Sequence, residues 1–443
     1  MKGKRSILAA IVLLTLASAA PFCCVKADAA TSRTWGHDSV GAASAYKTWF
    51  LAEGCTAGGF ETWILVQNPF DQQAGVHLTY MTPEGPKEGP SATLPAGTRT
   101  SFNVANTVPN APEVSTRVSA DNYVIAERAM YGPGRAWGHD SIGSPTTSTK
   151  WYLAEGCTAG GFETWVLVQN PGNKSADVSL TYMTPQGPKP GPAVKLAPYS
   201  RRSFSVSDSV GNTYEVSTLV SSSQHVVAER AVYWDNRKGG HESIGVTTPE
   251  KTWYLAEGST AAGFETYVLI QNPGKSAASV DLTFMTDNGP AAGPHLNLPP
   301  HSRKTVNVTD FVPDNFSVST KVTSNRPVIA ERAVYWNNRI EGHDSIGVTE
   351  AAVGWALAEG STGDGFETWV LVQNPNSTAA SIEIMYMTPG GAFSGPAETI
   401  GAHSRKSFNV ADTMPGEMEV STLVLSTNGV KVIAERAMYG DPK

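Results

Sequence analysis

The stretch W-Y-L-A-E-G-C-T-A-G-G-F-E-T-W-V-L-V-Q-N-P, residues 151–171, occurs four times in this chain. The glutamate of A-E-G recurs as Glu53, Glu155, Glu257 and Glu359, a constant step of 102 residues. Phe60, Phe162, Phe264 and Phe366 keep the same register, as do Asn68, Asn170, Asn272 and Asn374. A fixed period of this length means four copies of one folding unit. Each unit is the size of an ordinary independent domain, about 100 residues.

Around this stretch the pattern is that of short strands. Val76, Leu78 and Tyr80 alternate with His77 and Thr79. The matching sets are Val178, Leu180, Tyr182; Val280, Leu282, Phe284; and Ile382, Ile384, Tyr386. Apolar on one face and variable on the other predicts a half-buried strand. Residues 83–90, rich in Pro and Gly, are expected to form a turn. S-F-N-V, E-V-S-T-x-V and V-I-A-E-R-A-x-Y read as three further strands, the last ending at Tyr131, Tyr233, Tyr335 and Tyr439. Repeat four carries two extra residues near Asn428 and Gly429, a hairpin-type turn that absorbs length. No segment shows a helical period. The expected fold is therefore all-β: four tandem immunoglobulin-like antiparallel β-sandwich modules, at 35–135, 136–237, 238–339 and 340–443, after a signal peptide at 1–29. The antibody Cys…Trp…Cys pattern is absent, so the term describes architecture only. One unit, for example 148–234, is expected to fold alone.

The leader reading rests on Lys2, Lys4 and Arg5 before an apolar run too short for a membrane span, with an A-x-A site at 27–29. Its removal takes away four positive charges and one negative, moving the net charge from −7 to −10. Such a balance argues against nucleic acid and anionic lipid as partners. No later apolar run could span a bilayer, so the mature chain is expected outside the cytoplasm, secreted or in the cell envelope. Hydrophobic residues at 40% against 16% charged suffice for a packed core and exclude a disordered chain. Cys55 and Cys157 occupy one position in repeats one and two, where Ser259 and Ser361 stand in three and four. Two buried thiols are the preferred reading, with a bridge between them left open.

Polar residues also recur. G-H-(D/E)-S brings His37, His139, His241 and His343; the letters resemble a hydrolase triad, but neighbours on a strand point to opposite faces. A turn packing one module on the next is the expected role. These four histidines, with Glu53, Glu155, Glu257 and Glu359 and the G-F-E-T glutamates Glu61, Glu163, Glu265 and Glu367, are also candidate ligand groups. Trp63, Trp165 and Trp369, with Tyr267 at the same position, offer a sugar-stacking surface. The A-E-R residues Glu127–Arg128, Glu229–Arg230, Glu331–Arg332 and Glu435–Arg436, with Arg99, Arg201, Arg303 and Arg405, read as structural ion pairs, because a buried carboxylate needs a partner. No catalytic residue, metal ligand or cofactor is assigned: a calcium loop and a nucleophile elbow are both missing.

The set W-Y-L-A-E-G, G-F-E-T-W-V-L-V-Q-N-P, S-R-x-S-F, E-V-S-T and A-E-R-A-x-Y resembles a family of bacterial secreted repeat modules of unknown function, over 35–439. The resemblance implies β-sandwich modules on exported or surface proteins and no known catalytic residue. The expected function is a non-enzymatic scaffold, spacer or adhesion module facing a protein or glycan on the extracellular side. The alternatives are a carbohydrate-binding protein with one weak site per repeat, and a secreted hydrolase.

Overall fold

The computed structural model describes residues 34–440 together with the two-residue strand β1 (Arg5–Ser6). The remainder of the expected leader lies outside the described residues.

Repeat one shows the plan. The strands are β2 (Trp35–Val40), β3 (Ser44–Leu51), β4 (Glu61–Asn68), β5 (Ala74–Thr82), β6 (Gly85–Leu94), β7 (Thr98–Asn103), β8 (Ser115–Tyr131) and β9 (Gly138–Ile142). E-V-S-T-x-V and V-I-A-E-R-A-x-Y, expected as two strands, run together into the single strand β8. Its first half pairs with β3 and β5, its second with β4 and β9. With β6 beside β5 and β7 beside β4, this makes two antiparallel sheets sharing one long strand. The alternating side chains do line the core: Val76, Leu78 and Tyr80 are at most 2% exposed. The opening tryptophan of the quoted stretch pins the point where the long strand passes between sheets. Trp49 Nε1 donates to Val124 O at 2.8 Å, and Trp151, Trp253 and Trp355 repeat the bond to Val226, Val328 and Val432. In repeat four the two extra residues fall just before that point and split the long strand into Ser421–Ser426 and Ile433–Gly440.

Two expectations are corrected. Most of the Pro/Gly-rich segment 83–90 belongs to β6, an edge strand, where Pro86 and Pro90 forfeit no interior hydrogen bond. A bulge there carries Gly89 so close to Leu78 O that an added Cβ would lie at 2.8 Å. The G-H-D-S segment is a strand rather than a turn, and it completes the sheet of the repeat before it. β9 pairs with β8, Gly239–Ile244 with Ser217–Trp234, and Glu341–Ile346 with Ser319–Trp336. β2, at the head of repeat one, pairs with Ile433–Gly440 of repeat four. The folding module is thus offset from the period, and the first and last repeats share a sheet.

The four modules form a closed ring. The strands β2, β9, Gly239–Ile244 and Glu341–Ile346 lie at its centre, each in contact with the next and the last with the first. Among the described residues no helix is long and apolar enough to cross a membrane.

The independent-bead expectation does not fit this closure. A 148–234 fragment lacks Gly239–Ile244 and leaves Arg230, 0% exposed in the chain, facing water. It is expected to remain largely unfolded by circular dichroism and amide chemical-shift dispersion, whereas the full chain folds cooperatively.

Candidate functional site

The recurrent polar residues divide between the ring's interior and its rim. On the central strands His37 is 1% exposed, Asp38 2% and Ser39 2%. Ser39 Oγ accepts the Ile142 N–H at 3.0 Å, Ser141 that of Ile244 at 3.1 Å, and Ser345 that of Val40 at 3.2 Å. His37 Nδ1 lies 2.7 Å from Asp140 Oδ1, His241 Nδ1 2.8 Å from Asp344 and His343 Nδ1 2.8 Å from Asp38. Repeat three has Glu242 where the others have Asp. The Glu242 carboxylate meets Arg128, as the aspartates meet the equivalent arginines, and His139 Nε2 lies 3.3 Å from the Tyr233 hydroxyl, as His241 Nε2 lies 2.9 Å from that of Tyr335.

The A-E-R arginines connect these strands to the modules around them. Arg332 contacts Glu257 at 2.7 Å, Glu435 at 3.0 Å and Asp38. Arg436 contacts Glu359 at 2.9 Å, Glu127 at 3.3 Å and Asp140. Arg230 takes Glu155, Glu331 and Asp344, and Arg128 takes Glu53, Glu229 and Glu242. Each guanidinium thus binds the A-E-G glutamate of its own module, the A-E-R glutamate of the next, and an acid of that module's closing strand. The A-E-R carboxylates also accept A-E-G backbone N–H groups: Glu229 from Ala52 at 2.7 Å and Glu53 at 2.9 Å, Glu127 from Ala358 at 2.8 Å and Glu359 at 3.1 Å. Glu435 does so from Ala256 and Glu257, and Glu331 from Glu155. The second arginine set bonds A-E-G carbonyls. Arg99 reaches Ala358 O and Arg201 reaches Ala52 O, both at 3.0 Å; Arg303 reaches Gly156 O and Arg405 Gly258 O. The A-E-R ion pairs expected from the sequence are present, but mostly between modules; of the second arginine set, expected to pair likewise, Arg201 meets Glu113 at 3.6 Å, whereas Arg99, Arg303 and Arg405 bond backbone carbonyls.

The network sets proton affinities. Burial pushes Glu127, Glu331 and Glu435 up to about 7 against the pull of Arg436, Arg230 and Arg332. Burial likewise carries Glu242 well above the carboxylate range. For Asp38, Asp140 and Asp344 the effect of burial is outweighed by the facing arginine and histidine, which hold them low. Burial, then Arg128, depresses His139 strongly.

Three sets offer ligand atoms within 4.8 Å of one another: His37, Asp140 and Glu359; Asp38, Glu257 and His343; Glu155, His241 and Asp344. In each, an arginine already contacts both carboxylates. His37, on the strand that closes the fourth module, also lies 3.6 Å from Glu359 of that module, and both gather with Glu127 around Arg436 in the interior.

The G-F-E-T glutamates do not join them. Glu61 lies on the rim 2.8 Å from Arg135, Glu163 2.9 Å from Arg237, and Glu265 2.7 Å from Arg339. Glu367, the fourth of the set, is half-buried. Trp63, Trp165, Tyr267 and Trp369 are half-buried beside them. Sequence reading missed the acid after each histidine and the rim arginines Arg135, Arg237 and Arg339. Both recur with the period, which was the available signal. Cys55 and Cys157 are free thiols, and Cys157 N–H donates to Thr164 Oγ1 at 2.9 Å as Ser259 N–H does to Thr266.

Residues 240–348 match a family model described as a family of unknown function (DUF5719). The matched span is one period plus the strand that closes its sheet. No curated protein matches the sequence. Among solved structures, Thermotoga maritima 1070 is similar at 19% identity, covering 23% of this chain and 96% of its own, with a TM-score of 0.22. The Anabaena sensory rhodopsin transducer is similar at 23% identity over 19% of this chain and 96% of its own, with a TM-score of 0.17. A tetra-tandem repeat from the extending region of a large adhesion protein shares 11% identity over 92% of this chain and 100% of its own, at 0.12. Scores this low carry no argument about fold or function.

Two outcomes follow from the network. Arg332→Met strands three buried carboxylates and should cost roughly 3–5 kcal/mol in chemical denaturation; Arg135→Met removes an exposed pair and should cost at most about 1 kcal/mol. Glu127, Glu331 and Glu435 stay protonated up to about 7 in the folded chain but ionise near 4.5 once unfolded, so stability falls as pH rises through that interval. Glu242 acts in the same direction, and the depressed His139 alone among these groups opposes it. Calorimetry should give a higher Tm at pH 5 than at pH 8.

Proposed function

We propose that this chain is a non-enzymatic scaffold of the extracellular side, secreted or held in the cell envelope, that presents repeated surfaces from one rigid ring. One observation carries the reading. The polar residues that recur most faithfully, the His, A-E-G and A-E-R sets, lie in the interior at 0–4% exposure, where they join modules. The leader expected from the sequence at 1–29 and the acidic net charge support the location. The family of unknown function matched over 240–348 is proposed to extend to the other three repeats, which share its motifs.

A ring differs from a flexible string in how it gains avidity. Its four rim surfaces keep fixed separations, so multivalent binding does not depend on linker length. The second reading, carbohydrate binding with one weak site per repeat, is favoured by one further feature. Eight of the eleven tryptophans are buried, and the three that are not, Trp63, Trp165 and Trp369, share one rim position.

Small-angle X-ray scattering of the mature chain should give a radius of gyration of about 22 Å, the value for a compact body of this length; a much larger value, that of an extended rod, would refute the ring. Incubation with soluble polysaccharides should release no new reducing ends, and release would overturn the non-enzymatic reading.

A further inference from the structure

The rim is not smooth where modules meet. Between the first and fourth modules runs a groove of about 180 Å³. Trp63, Tyr131 and Phe366 form its walls. Phe366 is fixed by an edge contact to Trp35 with ring centroids 5.5 Å apart. Arg99 and Glu359 form the floor, and the Tyr131 hydroxyl donates to Glu359 Oε1 at 3.1 Å. Arg135 lies over the Tyr131 ring at 5.4 Å, tethered to Glu61. That tether is exposed, 41% and 35% at its two side chains, and exposed pairs of this kind are weak. Arg135 can therefore move onto a ligand at little cost.

We infer that this groove binds one pyranose ring of a neutral glycan. The inference rests on the binding-scaffold reading above. Three properties of the groove select that class. At ~30 Å³ per water, its volume holds about six waters, the space of a single sugar ring. Its walls include the half-buried rings of Trp63 and Phe366, flat apolar surfaces of the kind against which the apolar face of a pyranose can stack. Its polar lining is mixed: Arg135 can donate and Glu419 can accept, above Arg99 and Glu359, which are already bonded within the protein. Hydroxyls, which both donate and accept, satisfy both kinds. A phosphate would face the carboxylates, and a cation the guanidinium groups. An apolar side chain would cover Arg135 and Glu419 without bonding them, at the cost of desolvating polar groups.

The ring repeats the position. Trp165, Tyr267 and Trp369 replace Trp63, and Arg237 and Arg339 lie 5.5 and 5.7 Å over Trp165 and Tyr267. The outer edge of the groove varies, with Pro112, Tyr214, Phe316 and Met418 at equivalent positions. The aromatic position thus recurs around the rim with a different neighbour at each junction, a spacing that would suit an extended glycan held at several points.

The test uses the full mature chain labelled with 5-fluorotryptophan. Cellohexaose, xylohexaose, mannohexaose and chitohexaose serve as probes, at millimolar concentration. Trp63→Phe removes one fluorine resonance and so assigns it, while keeping a stacking ring. At least one probe is expected to move the Trp63 resonance and leave that of Trp49, 2% exposed in the core, in place. Trp63→Ala, checked for folding by circular dichroism, should weaken binding to this groove at least tenfold by titration calorimetry. If the alanine variant does not fold, Arg135→Ala on the rim should still change the affinity read at the Trp63 resonance. Absence of binding to all four probes, or binding that leaves the Trp63 resonance unmoved, overturns the assignment. Neither result touches the scaffold reading. Cleavage of a bound probe would refute the non-enzymatic reading while leaving the groove assigned.

Discussion

Four buried arginines hold this molecule together. Arg128, Arg230, Arg332 and Arg436 are each 0% exposed, and each is bonded to acids of two modules. A buried guanidinium without its carboxylates is strongly destabilising, so no module can satisfy its own charges. The constraint runs around the ring without a break. Arg436, near the end of the chain, needs Asp140 and Glu127 from its beginning, and β2 lies in the same sheet as Ile433–Gly440. Closure is therefore a condition of the electrostatics as well as of the hydrogen-bond ladder.

The repeats differ where this constraint allows it. Cys and Ser exchange at a position whose backbone bond to a threonine hydroxyl is common to both. The two-residue insertion of repeat four lies where the long strand leaves one sheet for the other, so the register on either side survives. A further exchange concerns large and small residues. Trp137 packs against Gly132 and Trp35 against Gly440, whereas in the second module the tryptophan is Trp234 and the glycine Gly239. An added Cβ on Gly440 would lie 2.2 Å from the Trp35 ring. One indole fills each site from either strand, opposite glycine in the first, second and fourth modules and opposite Glu341 in the third.

This arrangement bears on how the protein can act. Residues that look like chemistry in a list, His37 with Asp38 and Glu53 with Glu127, are committed to joining modules. What faces solvent is the rim: aromatic rings partly covered by exposed Arg–Glu pairs, repeated at fixed spacing. Under the proposed scaffold reading, this rim is the surface that a partner would meet.

Much of this was written in the sequence. The period of 102 residues fixed the number of modules, and the alternation of Val76, Leu78 and Tyr80 fixed both the class of structure and the inward face. Recurrence of Glu beside Arg announced buried ion pairs. These are local properties, set by strand geometry and by the cost of an unpaired charge. The sequence also carried two traces of closure that are plain only afterwards: the acid following each histidine, and the matching of Trp35 with Gly440. Tertiary structure alone decided who pairs with whom. A repeat makes its copies equivalent, and equivalence cannot say whether Arg332 binds an acid of its own repeat or Asp38, 294 residues away. Nor could it show that the histidines turn inward while Trp63 and Glu61 stay on the rim. Those outcomes depend on how whole sheets pack around a common centre, and packing of that kind leaves no period in the chain.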